Sequence, residues 1–190
     1  MGFPGSQNPR PTPRQISVAA QKIAAAQFSL FGFDVLEQSG SARFFYDLGV
    51  ARSGGMMKVV VHGSLDGFWD LIEPYLDRSS LQTPNYHRAI DLWLERHSSH
   101  IICCLVQFGS TDLHHTPRIY LASAGEVAEQ LHQGTDRLIG TPLTPRNSAP
   151  DEHEGLPARW RFTEERLANL MDGQEDEHRV QHLRLSAATA

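Results

Sequence analysis

The chain has 190 residues, enough for one domain with a substantial core and too few for two full ones. Apolar residues make up 40% and charged residues 21%, which argues against wholesale disorder and against a fibrous architecture. The net charge of -5 excludes a protein that coats DNA by bulk electrostatics, because neutralising phosphates needs clustered Lys and Arg; a local basic groove remains compatible with it.

Residues Met1 to Pro13 hold four prolines and two glycines with almost nothing to bury, and read as a flexible arm, 1–13. From Ile16 the pattern changes. Ile16, Ala20, Ile23, Leu30 and Phe31 recur at helical spacing through an Ala-rich stretch, which predicts a helix from about Arg14 to Phe31 with Gly32 as its stop. Three strands are predicted next, Phe33 to Gln38, Arg43 to Ala51 and Met56 to His62. Turn-forming Ser39-Gly40-Ser41 and Arg52-Ser53-Gly54-Gly55 separate them, as in a meander. Leu65 to Leu76 has near-helical apolar spacing, but Gly67 and Pro74 allow only a short, irregular helix.

Thr83 followed by Pro84 is a helix entry, and Tyr86, Ile90, Trp93 and His97 line one face of the helix that follows. Ile101 to Phe108 is a continuous apolar run of strand length, as expected of a central strand covered on both faces. Arg118 to Ala122 predicts a further strand. Ser123 with Glu126 then forms a capping box that opens a helix closed by Gly134. The α/β core is therefore taken as 14–139, followed by a Pro- and Thr-rich surface loop over 140–158. A C-terminal helix packing on the core is expected within 159–173, with Thr163 as cap and Phe162 and Leu167 as a hydrophobic staple; 174–190 reads as a frayed tail. The class is α/β.

The order helix, three-strand meander, helix, strand, strand, helix resembles the PD-(D/E)XK (restriction-endonuclease-like) nuclease superfamily. Local sequence points to its resolvase-like branch, in which a helix ends before a Gly-aromatic pair, a strand contains Tyr-Asp-Leu, and the next strand reads Val-Gln-Val-Lys before a small residue. The matching stretches are Phe31-Gly32-Phe33-Asp34-Val35-Leu36, Tyr46-Asp47-Leu48 and Val59-Val60-Val61-His62-Gly63-Ser64. The likeness is best over Ile16 to Ser64 and continues by architecture to about Gly134. It implies a mixed central sheet of about five strands flanked by helices.

In such nucleases a divalent ion, usually magnesium, holds the scissile phosphate and activates water, so oxygen donors converge at one edge of the sheet. A lysine two residues after the acid or amide shares its strand face and steadies the developing charge. Carried onto this chain, Asp47 fills the first acidic position and would be the metal ligand if the protein is active. Val60 stands where the oxygen donor would be, and His62 where the lysine would be. Gln27 is the helix position corresponding to a supporting Glu. The motif is degenerate, so the resemblance implies a pseudoenzyme with no cofactor, magnesium entering only if it is active, that acts as a DNA- or protein-binding module.

Two other readings stay open. Asp34, Glu37 or Asp66 could supply the missing oxygen in an active nuclease with migrated residues and His62 as general base, or the fold could serve an accessory protein with no nucleic-acid role. Asp47 would equally suit a purely structural role, satisfying backbone groups at a strand end. His114 and His115 with Asp112 lack the spacing of a zinc site, and Cys103 and Cys104, inside the most apolar strand, read as buried thiols in a reducing compartment. Trp69, Trp93 and Trp160 read as core. No apolar run approaches the roughly 20 residues that span a bilayer, and a secretory signal is not apparent, so a cytoplasmic, non-membrane protein is expected. The sequence carries no information on oligomeric state.

Overall fold

The computed structural model describes residues 10–38, 45–77, 84–97, 100–109, 115–135 and 156–173. Helix α1 spans Pro13–Leu30. Its start is set by a capping box: Thr12 Oγ1 accepts from the Gln15 backbone N–H at 3.3 Å, while Gln15 Oε1 accepts from the Thr12 N–H at 2.8 Å. Ala20, Ala24, Ala25 and Phe28 form its buried stripe. Gly32, at φ +78°, then turns the chain into the sheet, a conformation that favours glycine.

The sheet has five strands in the order β1 (Asp34–Glu37), β2 (Leu48–Arg52), β3 (Gly55–Ser64), β4 (Ile101–Gln107) and β5 (Arg118–Ser123). β3 and β4 run parallel; the other three neighbour pairs are antiparallel. This is the α/β class with a mixed five-stranded sheet that the sequence predicts. The β2–β3 hairpin turns through Ser53 (φ +53°) and Gly54 (φ +88°), both in the left-handed region, with Arg52 paired to Gly55. A two-residue turn of that kind matches the twist of its strands.

β2 begins at Leu48, not at Arg43. Residues 43–44 of the predicted strand lie outside the described residues, and 45–47 are not strand. The physical reason is visible at Asp47. Its side chain, rather than a strand carbonyl, receives the Val61 N–H at 2.7 Å, so a carboxylate ends the β2 ladder.

The parallel β3–β4 pair requires a crossover, which passes through α2 (Tyr86–His97). Asn85 caps this helix, its Oδ1 accepting from Arg88 N–H at 3.0 Å, so the helix opens later than the Thr83-Pro84 pair suggests. Thr83 itself lies outside the described residues. Upstream, the segment 65–76 folds only as the 3-10 turn Glu73–Tyr75, yet it buries Trp69, Leu71 and Ile72. Gly67, at φ +77°, leaves room for the Gln107 side chain, whose Nε2 would lie 2.8 Å from any Cβ placed there.

β5 leads into α3 (Ala124–Thr135) through the predicted capping box: Ser123 N–H donates to Glu126 Oε2 at 2.8 Å, and Ser123 Oγ accepts from Glu126 N–H at 3.2 Å. The C-terminal segment places its helix after the Thr163 cap, as the sequence predicts. It forms a 3-10 turn at Ala158–Trp160, a β-bridge from Arg161 to Tyr120, and only then helix α4 over 164–173, capped by Thr163 Oγ1 to Arg166 N–H at 3.1 Å. Phe162 is held by the sheet edge through its N–H to Ile119 O and packs edge-on against Phe28 and Phe31, with centroids 5.0 and 5.1 Å away. The predicted arm up to residue 9, most of the surface loop and the tail lie outside the described residues.

Helices therefore cover both sheet faces, with one apolar core on each. The α1 and α4 side contains Phe28, Leu48, Val59, Val61, Cys104, Leu121 and Leu167. The α2 and α3 side contains Cys103, Leu105 and all three tryptophans, none more than 2% exposed. Alternation along β4 sends Cys103 and Cys104 to opposite faces, and both thiols are free. Burial pushes the Cys103 thiol up to about 12 and Cys104 higher still, so neither is a nucleophile at neutral pH. Among the described residues no helix is long and apolar enough to cross a membrane.

Candidate functional site

Asp47 sits at the head of β2 beside β3, and its half-buried carboxylate is held from two sides. Oδ2 accepts the Val61 N–H at 2.7 Å and Oδ1 accepts from Gln21 Nε2, on α1, at 3.0 Å. Its own backbone continues the sheet, the N–H donating to Val59 O and the carbonyl accepting from Gln38 N–H, both at 2.9 Å. Burial raises the Asp47 carboxyl above its ordinary value, and the Val61 N–H offsets part of that rise. The α1 amide that reaches Asp47 is Gln21, not Gln27. The two lie six residues, about 9 Å, apart along the helix axis.

Beside the carboxylate lies an open cleft of about 260 Å³, whose floor includes Asp47 and Val60. Its walls come from the segment before β2 (Phe45, Tyr46), from the 3-10 turn (Tyr75) and from the last turn of α2 (Arg96, His97). Two cations stand over rings of this lining: Arg96, itself a lining residue, at 5.4 Å from the Phe45 centroid, and Lys58 at 5.8 Å from that of Tyr46. None of these groups except Asp47 and Val60 was singled out by sequence for this site. Arg96 and His97 are distant in the chain, and only the α2 crossover returns them to β3.

His62 follows Val60 by two residues and shares its strand face, paired in register with Leu105 in the α2-side core. Its Nε2 has no solvent contact and no hydrogen-bond partner among the described residues. Burial, and then the nearby His97, lowers its pKa to about 4, so the ring is neutral at pH 7. His97 is lowered as well, by burial first, while its Nδ1–H donates to Trp93 O at 2.7 Å.

A magnesium centre needs several oxygen ligands at one point. Here Asp47 offers two oxygens that already accept internal hydrogen bonds, Val60 offers hydrocarbon, and His62 offers a buried nitrogen. The donor set does not fit the ion. The alternative carboxylates lie elsewhere: Glu37 is ion-paired to Lys22, Asp66 accepts from Ser64 Oγ and Phe68 N–H in its own turn, and neither they nor Asp34 lines the cleft. Among the described residues no three His, Cys, Asp or Glu side chains are arranged to hold a metal. His115 is exposed, while Asp112 and His114 lie outside the described residues.

This geometry gives Asp47 a structural task that substitution separates from chemistry. Asp47→Ala leaves the Val61 N–H without its acceptor and should lower stability by about 1 to 3 kcal/mol. Asp47→Asn retains an acceptor, Gln21 turning its amide to suit, and should stay within about 1 kcal/mol of the parent. Urea denaturation at pH 7 measures both. Equal losses would mean that the charge, not the hydrogen bonds, is what the fold uses.

Comparison with protein-family models, with curated proteins and with solved structures finds no match to this chain.

Proposed function

We propose that the chain is a restriction-endonuclease-like protein of the PD-(D/E)XK kind that does not cut nucleic acid and instead binds it in the cleft beside Asp47. The carrying observation is the composition of that cleft. A carboxylate committed to the fold adjoins a valine, while Arg96, His97 and three aromatic rings complete the lining and Lys58 stands over one of those rings; the neutral His62 follows on the same strand face. Cations suit phosphates, and aromatic faces suit unpaired bases, so a single strand is the better match. The sheet order and the place of Asp47 at the head of β2 support the family reading.

Fluorescence anisotropy with a labelled oligonucleotide tests binding. The net charge of -5 repels a polyanion at long range, so affinity should rest on few contacts and fall with salt. The double variant Lys58→Ala with Arg96→Ala removes two exposed cations without touching the core. It should weaken binding and flatten the log–log salt slope by about 0.7 per lost phosphate contact on a single strand. Plasmid and single-stranded substrates in magnesium or manganese should remain intact. Cutting that disappears in Asp47→Ala would overturn the non-cleaving reading. Absence of any retardation at low salt would favour an accessory protein with no nucleic-acid role.

A further inference from the structure

The two faces of the sheet are not equally covered. The core on the α1 side takes side chains from all five strands, whereas the core on the α2 side takes its strand residues from β4 and β5 alone: Cys103, Leu105, Tyr120 and Ala122. Alternation along β1, β2 and the start of β3 therefore leaves the opposite face of those strands outside that core. Leu36 and Met56 lie on it, and they are 64% and 57% exposed.

Strand register fixes what this open face presents. Asp34, Ala51 and Met56 form one row across three strands, and Leu36, Gly49 and Lys58 form the next. With the usual strand spacing and rise, Leu36 and Met56 take opposite corners of a rectangle of about 7 by 10 Å, and Asp34 and Lys58 take the other two. Gly49 lies beneath the apolar diagonal, since a Cβ there would stand 3.7 Å from Leu36 Cβ and 3.9 Å from Met56 Sδ. The result is an apolar ridge with an acid on one flank and a base on the other. Asp34 and Lys58 are both exposed, and neither side chain has a hydrogen bond or ion pair among the described residues.

We propose that this face docks a second copy of the chain, sheet on sheet, about a two-fold axis that runs along the Leu36–Met56 ridge. Such an axis lies in the plane of contact and reflects the footprint across the ridge, so the interface is self-complementary. Leu36 meets its own copy, Met56 meets its own copy, and Asp34 of each chain comes within lysine's reach of Lys58 of the other. An axis along the Asp34–Lys58 diagonal would set like charges face to face. Axes along or across the strands would set charge against hydrocarbon, so charge complementarity selects the ridge. The strands of the two sheets then cross steeply, as in the orthogonal class of sheet packing. The patch is small against the roughly 800 Å² that each partner of a standard interface buries, which makes the dimer reversible and concentration-dependent.

Sedimentation equilibrium of the full chain without nucleic acid, from micromolar concentration to about 1 mM, tests the pairing. The mass should rise from monomer to dimer across that range. By symmetry, Asp34→Lys or Lys58→Glu alone turns two attractions into two repulsions and should weaken the dimer about tenfold or more. The double exchange should bring it back to within about threefold of the parent. Met56→Cys treated with a short bismaleimide should give a covalent dimer, because like positions face each other across the axis while Cys103 and Cys104 are buried; Val18→Cys, exposed on α1, should not. These positions are all exposed, so urea midpoints should stay near that of the parent and a lost dimer would not reflect a lost fold. A monomer at every concentration would overturn the proposal. A dimer that either single exchange leaves intact, or that the double exchange does not restore, would place the contact on another surface and overturn it as well. Lys58 also stands over Tyr46, but Leu36 and Met56 do not line the cleft, so the outcome is independent of nucleic-acid binding.

Discussion

Between pH 6.5 and pH 4 the protein should lose about 3 kcal/mol of stability through a single side chain, and His62→Leu should remove most of that loss. The His62 pKa falls from 6.5 in the unfolded chain to about 4 in the fold, because its Nε2 is shut away from water and His97 stands nearby. Below pH 6.5 the unfolded chain therefore takes up a proton that the folded chain refuses. Stability is complete above 6.5, declines as pH falls, and levels off below 4. His97 is lowered too and leaves a smaller residue of the same sign in the variant. Leucine suits the site, since His62 Nε2 has no partner to lose among the described residues and Leu105 lies beside it in the sheet. Urea midpoints at pH 7, 5 and 4 give the measurement; equal pH slopes in parent and variant would refute it. The result bears on function. A ring that resists protonation to about pH 4 cannot supply the cation that a lysine would place beside a phosphate.

Arg166→Ala should cost about 3 kcal/mol, or a drop of about 6 to 12 °C in Tm for a chain of this size. Arg166 ties α4 to the sheet and to α3 at once. Its Nε–H donates to Leu121 O at 3.1 Å, and its Nη2 pairs with Glu126 Oε2, the same oxygen that serves the Ser123 capping box. The side chains are 13% and 26% exposed, so the pair is shielded enough to matter and wet enough to fall at the lower end of the range for buried pairs. Burial alone would raise the Glu126 carboxyl, but the Ser123 N–H, the Arg166 guanidinium and the Ser123 hydroxyl together hold it below its ordinary value. A depressed carboxyl contributes its stability above the unfolded pKa and loses it as pH falls through the folded one. The gap between parent and Arg166→Ala should accordingly narrow in acid. Arg166→Lys should rescue only part of the loss, because a single ammonium cannot reproduce the fork that serves a carbonyl and a carboxylate together. Full rescue by lysine would reduce the contact to simple charge.

Local physics made much of the architecture readable in advance. The Ala-rich stripe of α1, the unbroken apolar run of β4 and the Ser123–Glu126 box each depend on residues within a few positions of one another. The periodicity of the chain therefore determined the element order and the α/β class, while the mixed five-stranded sheet was what the family resemblance implied. Where elements begin was less legible when a competing side chain intervened, as with Asn85 at α2 and Asp47 at β2. The side chain took over a backbone bond, and no hydrophobic pattern records that substitution.

Asp47, Val60 and His62 were singled out in the sequence by the family resemblance, and the β2–β3 hairpin holds them near one another. What gathers around them could not be. Gly63 shows why: a Cβ there would stand 2.8 Å from Ala20 Cβ and 2.9 Å from Ile16 O, so α1 rests directly on β3 at that point. That close approach sets how far α1 slides along the sheet, and so delivers Gln21, not Gln27, to Asp47. The α2 crossover likewise brings Arg96 and His97 over Val60, and the packing of α2 on α3 brings His87 to His132 from 45 residues away. Spacing along a chain encodes which face a residue takes; where one face comes to rest on another is decided by close packing, and only the tertiary structure records it.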